Sequence, residues 1–271
     1  MGKDTLQARV EESLRKRFRR TIWCNFTKAI KLYRLVREGD RIAVCISGSS
    51  GSMLMARLFR ELKRHDEFPF ELCFPVPDPG YAPDYLSQIE DNAAALGIPI
   101  RIISAGSPDT ASSNGLFPRR LCTDTQSPIL HALAKETGCN KIALEDLFDD
   151  VIETILTGML CEGRIQTMMP RQKSTDPEGP ELIRPMYLVR EEAVRDWQDA
   201  NRLRFAQSAA TAEEGSGHPE IRALIAGLRA NNPFVESNIF RSMENIDLRT
   251  VIAYNKDGVN HSFLDHYDRI P

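Results

Sequence analysis

The chain has 271 residues, 42% hydrophobic and 27% charged, with a formal net charge of −3. That is enough chain to bury a full core as one α/β domain with a small appendage, and the balance is that of a soluble globular protein rather than a disordered or fibrous one. It carries no apolar run long enough to span a membrane and no secretory leader pattern, so the expected compartment is the cytoplasm. The six cysteines are Cys24, Cys45, Cys73, Cys122, Cys139 and Cys161. None forms a C-x-x-C pair, and several sit in apolar patterns, which points to reduced, buried thiols.

In chain order, residues 5–37 read as an amphipathic helical arm. Leu14, Phe18, Ile22, Phe26, Ile30 and Tyr33 recur at three- and four-residue spacing. Between them lie Arg15, Lys16, Arg17, Arg19 and Arg20, with Lys28, Lys31, Arg34 and Arg37 further on. Such a basic surface can attract a polyanion even on a slightly acidic protein; the alternative is a solvated helix face. Ile42-Ala-Val-Cys-Ile46 reads as a buried strand. The loop Ser47-Gly48-Ser49-Ser50-Gly51-Ser52 follows, and then a helix to about residue 64. Strand, small-residue loop and helix are how α/β proteins offer backbone N–H groups to a phosphate. This loop, however, holds no lysine for phosphate charge and no acid for a metal. It reads either as a weak anion cradle or as a plain turn.

Phe70 to Val76 is expected as a second strand, closed by a turn at Pro77-Asp78-Pro79-Gly80, and Pro83 to Leu96 as a helix. A third strand is Ile98 to Ile103. The small polar stretch 105–117 is expected as a loop, and Pro128 to Thr137 as a helix capped by Gly138. Lys141 to Leu144 is a fourth strand, followed by a helix carrying Val151, Ile152, Ile155 and Leu156. Glu181 to Tyr187 is a fifth strand. Helices are expected at about 190–200, 218–230 and 234–250. The alternation implies a parallel sheet with right-handed crossovers. The organisation expected is an N-terminal helical arm (1–38), an α/β domain (39–211) and a C-terminal helical extension (212–271).

Five segments carry a resemblance: Gly39-Asp-Arg-Ile-Ala-Val-Cys-Ile-Ser-Gly48, Gly138-Cys-Asn-Lys-Ile-Ala-Leu144, Phe148-Asp-Asp-Val-Ile-Glu-Thr154, Thr167-Met-Met-Pro170 and Leu182-Ile-Arg-Pro-Met-Tyr187. In order and spacing they resemble the PP-loop ATPases that modify tRNA, specifically the TtcA-like tRNA 2-thiocytidine biosynthesis group. The resemblance implies a Rossmann-like parallel sheet of the adenine nucleotide α-hydrolase type, with ATP beyond the C-terminal strand ends. It also implies a chemistry: ATP adenylates a pyrimidine carbonyl oxygen, and sulfur held by cysteines, usually on an iron–sulfur cluster, replaces it.

Position by position, the family loop SGGKDS keeps Ser47, Gly48 and Ser52, while Ser49, Ser50 and Gly51 replace glycine, lysine and aspartate. Ser47, Gly48, Ser49, Ser50, Gly51, Ser52 and Asp78 are the residues the resemblance offers to ATP. The family's Gly-His-His becomes Glu145-Asp146-Leu147; Asp149, Asp150 and Glu153 match and are the remaining catalytic candidates. Glu145, Asp146, Asp149 and Asp150 are either a new divalent-metal site or, for the first two, caps of the following helix. The cluster cysteines would fall at Pro118 and Leu121, beside the unpaired Cys122, and in Gln207–Thr211, which has no thiol; an iron–sulfur cluster is not expected. The tRNA-facing candidates are Arg15, Lys16, Arg17, Arg19, Arg20 and Arg184. The expectation is a degenerate, non-catalytic member that keeps tRNA or partner binding, the partner being an active paralogue or a second copy through tail residues such as Phe263 and Tyr267. The alternative is an active nucleotide-dependent enzyme using the acidic cluster with magnesium.

Overall fold

The computed structural model describes residues 6–65, 68–78, 80–104, 128–174, 176–177, 179–205 and 218–267. Its centre is a six-stranded sheet in the order β3-β2-β1-β4-β6-β5. The strands are β1 (Arg41–Val44), β2 (Glu71–Asp78), β3 (Ile100–Ser104), β4 (Lys141–Ala143), β5 (Arg171–Gln172) and β6 (Glu181–Ile183). All neighbours run parallel except β5, which adds antiparallel to β6 at the edge. The expected α/β class is therefore present. The fifth expected strand stops at Ile183 because Pro185 has no N–H for the ladder.

Side chains alternate across the pleat. Ile42 and Val44 face a core completed by the N-terminal arm, α3 (Ser50–Arg64), α4 (Pro83–Leu96) and α7 (Glu191–Ala200). Ala43, Ile142 and Leu182 face the other side, against Leu130 and Leu133 of α5 (Pro128–Thr137). A third cluster joins α6 (Phe148–Cys161) to α8 (Pro219–Asn231) and α9 (Val235–Glu244). Chain order and sheet order diverge at β1 and β4, whose C-terminal ends lie side by side. In doubly wound sheets this switch point is where a crevice opens for ligands.

The arm is not one helix. It comprises α1 (Leu6–Arg15), a π-helical turn (Arg19–Trp23) and α2 (Cys24–Leu32). The apolar series explains the break. Leu14, Phe18, Ile22, Phe26 and Ile30 follow a strict four-residue interval, and all are buried. In an α-helix each such step rotates the side chain by about 40°, so the series would leave the core. The wider π turn, with Trp23 N–H bonding back to the Phe18 carbonyl, holds it in line.

Sequence reading also missed the hairpin of β7 (Ala253–Lys256) and β8 (Val259–Ser262) and carried the last long helix too far; α9 ends at Glu244, with a short 3₁₀ turn at Leu248–Thr250. The hairpin signal was present: Asp257 (φ 52°) and Gly258 (φ 78°) form the two-residue turn that Asp-Gly favours. A short helix, α10 (Leu264–Tyr267), follows. Among the described residues no helix is long and apolar enough to cross a membrane.

The arm is clamped to α3 by charge. Arg57, 1% exposed, sits 2.5 Å from Glu11 of α1 and donates to the Leu96 carbonyl, and Arg64 reaches the same Glu11 oxygen at 2.7 Å. Burial works to raise the Glu11 carboxyl, but the hydrogen bonds and charges of Arg64 and Arg57 outweigh it and hold the group at about 2. A depressed acid adds stability above its unfolded value, and this is lost as pH falls through the folded one. We therefore expect the arm to loosen between about pH 4.5 and 2, read as rising amide exchange in residues 6–15. Glu11→Gln should remove that step; an unchanged acid profile in this variant would contradict the clamp.

Candidate functional site

The loop after β1 meets the segment after β4 at the switch point. Ser49 caps α3 in extended conformation, its hydroxyl accepting from the Ser52 N–H at 3.0 Å. The hydroxyls of Ser47, Ser49 and Ser52 lie 3.1–3.2 Å from one another. Gly48 has φ +90°, and a Cβ there would meet Ile89 at 2.8 Å and the Tyr85 hydroxyl at 3.2 Å, so only glycine fits. Tyr85 donates to the Ser47 carbonyl at 2.9 Å.

Into this cradle comes Glu145. One carboxylate oxygen accepts from the Ser47 hydroxyl at 3.1 Å, and the other accepts a short hydrogen bond from Ser49. A Cβ on Gly51 would lie 2.9 Å from the same carboxylate. A side chain of this chain thus holds the place at the N-terminus of α3 that suits an anion. Its charge is felt around it: burial first, and then Glu145, push the Cys45 thiol up to about 12 and raise the Tyr85 phenol. Neither of the roles the sequence offered Glu145, metal ligand or cap of α6, describes these contacts.

The other acids are drawn apart, each to a different element. Asp146 pairs with Arg184 at 2.8 Å, both buried. Asp150 accepts from the Leu147 N–H at 2.7 Å and so caps α6, the task the sequence assigned to Glu145 and Asp146. Asp149 accepts from the Glu191 N–H at 2.7 Å and lies 3.5 Å from Arg229. Glu153 accepts from the His218 N–H at 3.2 Å and from Arg222 at 3.0 Å. Among the described residues no three His, Cys, Asp or Glu side chains could share a metal ion. Asp78 accepts from the N–H groups of Gly80 and Tyr81, holding the turn after β2.

The cationic candidates divide in the same way. Arg184 is 1% exposed and also donates to the Met169 carbonyl at 2.6 Å; it is a buried tie between α6's lead-in and the strand edge, not a surface contact for RNA. Arg15 pairs with Glu61 at 2.6 Å, Lys16 with Glu12 at 2.6 Å, and Arg17 lies 5.2 Å from the Phe18 ring centre. Arg19 and Arg20 are exposed, with no ion pair among the described residues, as are Lys28, Lys31 and Arg37. The arm therefore presents free positive charge chiefly on its π turn and along α2. Phe18, 4% exposed, packs inward.

The positions tested for cluster cysteines, Pro118, Leu121, Cys122 and Gln207–Thr211, lie outside the described residues. Cys139 is half-buried, with its sulfur 3.3 Å from that of Cys73. The hydrogen bond from Cys73 is the main cause holding the Cys139 thiol down to about 6, while Cys73 is raised.

No family model matches the chain. It is 28% identical over 226 residues to a tRNA-cytidine(32) 2-sulfurtransferase of Anaeromyxobacter dehalogenans, covering 81% of this chain and 77% of that one. To the protein of the same name from Pelobacter propionicus it is 27% identical over 238 residues, covering 86% and 88%. Among solved structures it is similar in fold to the U34-tRNA thiolase NcsA of Methanococcus maripaludis, a structure with its 4Fe-4S cluster. The TM-score is 0.59 at 19% identity, over 84% of this chain and 81% of that one.

Removing Arg184 tests the buried pair. Arg184→Ala leaves Asp146 buried and unpaired, and should cost about 3–5 kcal/mol in urea unfolding. Pairing it with Asp146→Asn should restore much of that loss. A single variant as stable as the parent would contradict the assignment.

Proposed function

We propose that this chain, a homologue of the tRNA-cytidine(32) 2-sulfurtransferases, binds tRNA without carrying out ATP-dependent sulfur transfer. The observation that carries this reading is the Glu145 carboxylate on Ser47 and Ser49. A phosphate at the N-terminus of α3 would have to displace it or lie beside it. Two unit negative charges about 4 Å apart near a protein surface repel by about 4 kcal/mol, close to a thousandfold in affinity. No lysine in the loop offsets that repulsion, and the acids that could share a cation with the phosphates face other partners. ATP does not fit the loop in this arrangement, so no adenylation step is assigned to it.

The retained function is binding of the relatives' class of substrate, tRNA, through the exposed cations of the arm. Arginine and lysine on a helix surface give salt-sensitive phosphate contacts without reading sequence. Arg19 and Arg20 are the residues most open to such contacts on the π turn.

Two measurements test the two halves. Calorimetry with ATP and Mg²⁺ at millimolar concentration should be silent for the natural protein, whereas Glu145→Ala should gain at least tenfold in affinity for ATP or inorganic phosphate. Micromolar ATP binding by the natural protein, or no difference in the variant, would contradict the blocked loop. In a gel shift with bulk tRNA, Arg19→Glu with Arg20→Glu should weaken binding and lower the salt dependence by about two units of log–log slope. Undiminished binding by this variant, or no binding at low salt by the natural protein, would end the tRNA assignment.

A further inference from the structure

A second concave site lies away from the loop, where α2 faces α9 across the start of α6. It is an open groove of about 400 Å³, a volume in the range of small-molecule sites. No residue of Ser47–Ser52 lines it. Its aromatic wall comes from a chain of touching rings: Tyr33 against Tyr187 (5.4 Å between centres), Tyr187 against Phe240 (5.8 Å) and Phe240 against Phe148 (5.4 Å). Tyr33, Phe148 and Phe240 line the cleft itself.

Its charges are not neutralised from within. Arg190 is committed, lying 4.7 Å over the Phe148 ring and pairing with Glu236 at 2.7 Å. Lys28 and Arg241, which also line the cleft, are exposed and have no ion pair among the described residues. They come from different elements, α2 and α9, and flank the rings. Glu244, the acid of the cleft, likewise has no ion pair among those residues. The Tyr33 phenol is raised by burial first and by Glu244 second, so it remains a hydrogen-bond donor. An aromatic wall of mutually tilted rings, two unpaired cations and one carboxylate acceptor together suit a ligand with an aromatic face, an anionic group and an amino donor.

We propose that this cleft binds a nucleotide, either free or as one unpaired unit of an RNA chain. The base lies against Tyr33 and Phe240, which can stack on any base face. The phosphate is met by Lys28 and Arg241. Glu244 accepts from an exocyclic amine, which favours adenine or cytosine over uracil. The RNA arm of this inference rests on the tRNA reading above, and the free-nucleotide arm does not.

The test uses the full chain. Equilibrium dialysis measures AMP, CMP and UMP; fluorescence anisotropy measures labelled bulk tRNA. Lys28→Glu with Arg241→Glu changes two exposed side chains, and Arg249→Glu, an exposed cation outside the cleft, serves as the charge control. The double variant should lose at least tenfold in AMP and CMP affinity while the control is unchanged, and UMP should bind more weakly than CMP to the natural protein. Because Lys28 also belongs to the exposed cations of the arm, competition decides the occupant: bulk tRNA that displaces bound AMP marks an RNA unit, and bulk tRNA that binds without displacing AMP marks a free nucleotide. Failure of all three nucleotides to bind, or binding that ignores the double variant, overturns the cleft. In that outcome, tRNA binding that still responds to Arg19→Glu with Arg20→Glu leaves the tRNA reading standing.

Discussion

The hydrogen bonds from Ser47 and Ser49 to the Glu145 carboxylate are the contact on which the functional reading depends. They join the loop after β1 to the segment after β4, where chain order reverses between two parallel strands of the sheet. A helix N-terminus there has orphan N–H groups and a partial positive charge. In this chain both are met internally, by the Ser49 hydroxyl for the Ser52 N–H and by Glu145 for the field of the helix. The anion at this helix N-terminus is supplied by the protein itself.

The same economy recurs around the site. The four acids that follow Glu145 could have formed one oxygen-rich shell. Instead they tie α6 to Arg184, to its own first turn, to the start of α7 and to α8. Asp146, Asp149 and Glu153 accept from donors on other elements, and Asp150 accepts from the N–H that opens its own helix. A buried pair such as Asp146–Arg184 adds little over apolar packing but is costly to break, so it constrains which substitutions the fold accepts. Among the described residues, the cations with no ion pair include Arg19 and Arg20 on the arm and Arg241 on α9.

Much of the fold was legible in the sequence because its signals are local and periodic. The strand at Ile42–Val44, the Gly138 cap and the alternation of strands with helices all stand in the pattern. The π turn was not read, although the strict four-residue interval from Leu14 to Ile30 required a wider turn to stay buried. The Asp257-Gly258 hairpin was also available and was passed over. In the site, the sequence showed that the loop holds no lysine and that acids follow β4. It did not show that the two meet, because Ser49 and Glu145 are 96 positions apart and their contact exists only once β1 and β4 pair. Arg184, named among the tRNA-facing candidates, is 1% exposed, because its partner Asp146 is a neighbour only through the sheet.

The central claim is that Glu145 holds the anion seat of the loop. A crystal structure of the natural protein grown with millimolar Mg²⁺ and a non-hydrolysable ATP analogue tests it most directly. The account predicts the Glu145 carboxylate on Ser47 and Ser49 with no phosphate at the N-terminus of α3. A Glu145 side chain turned away, with analogue phosphates bonded to the N–H groups of residues 49–52, would contradict it.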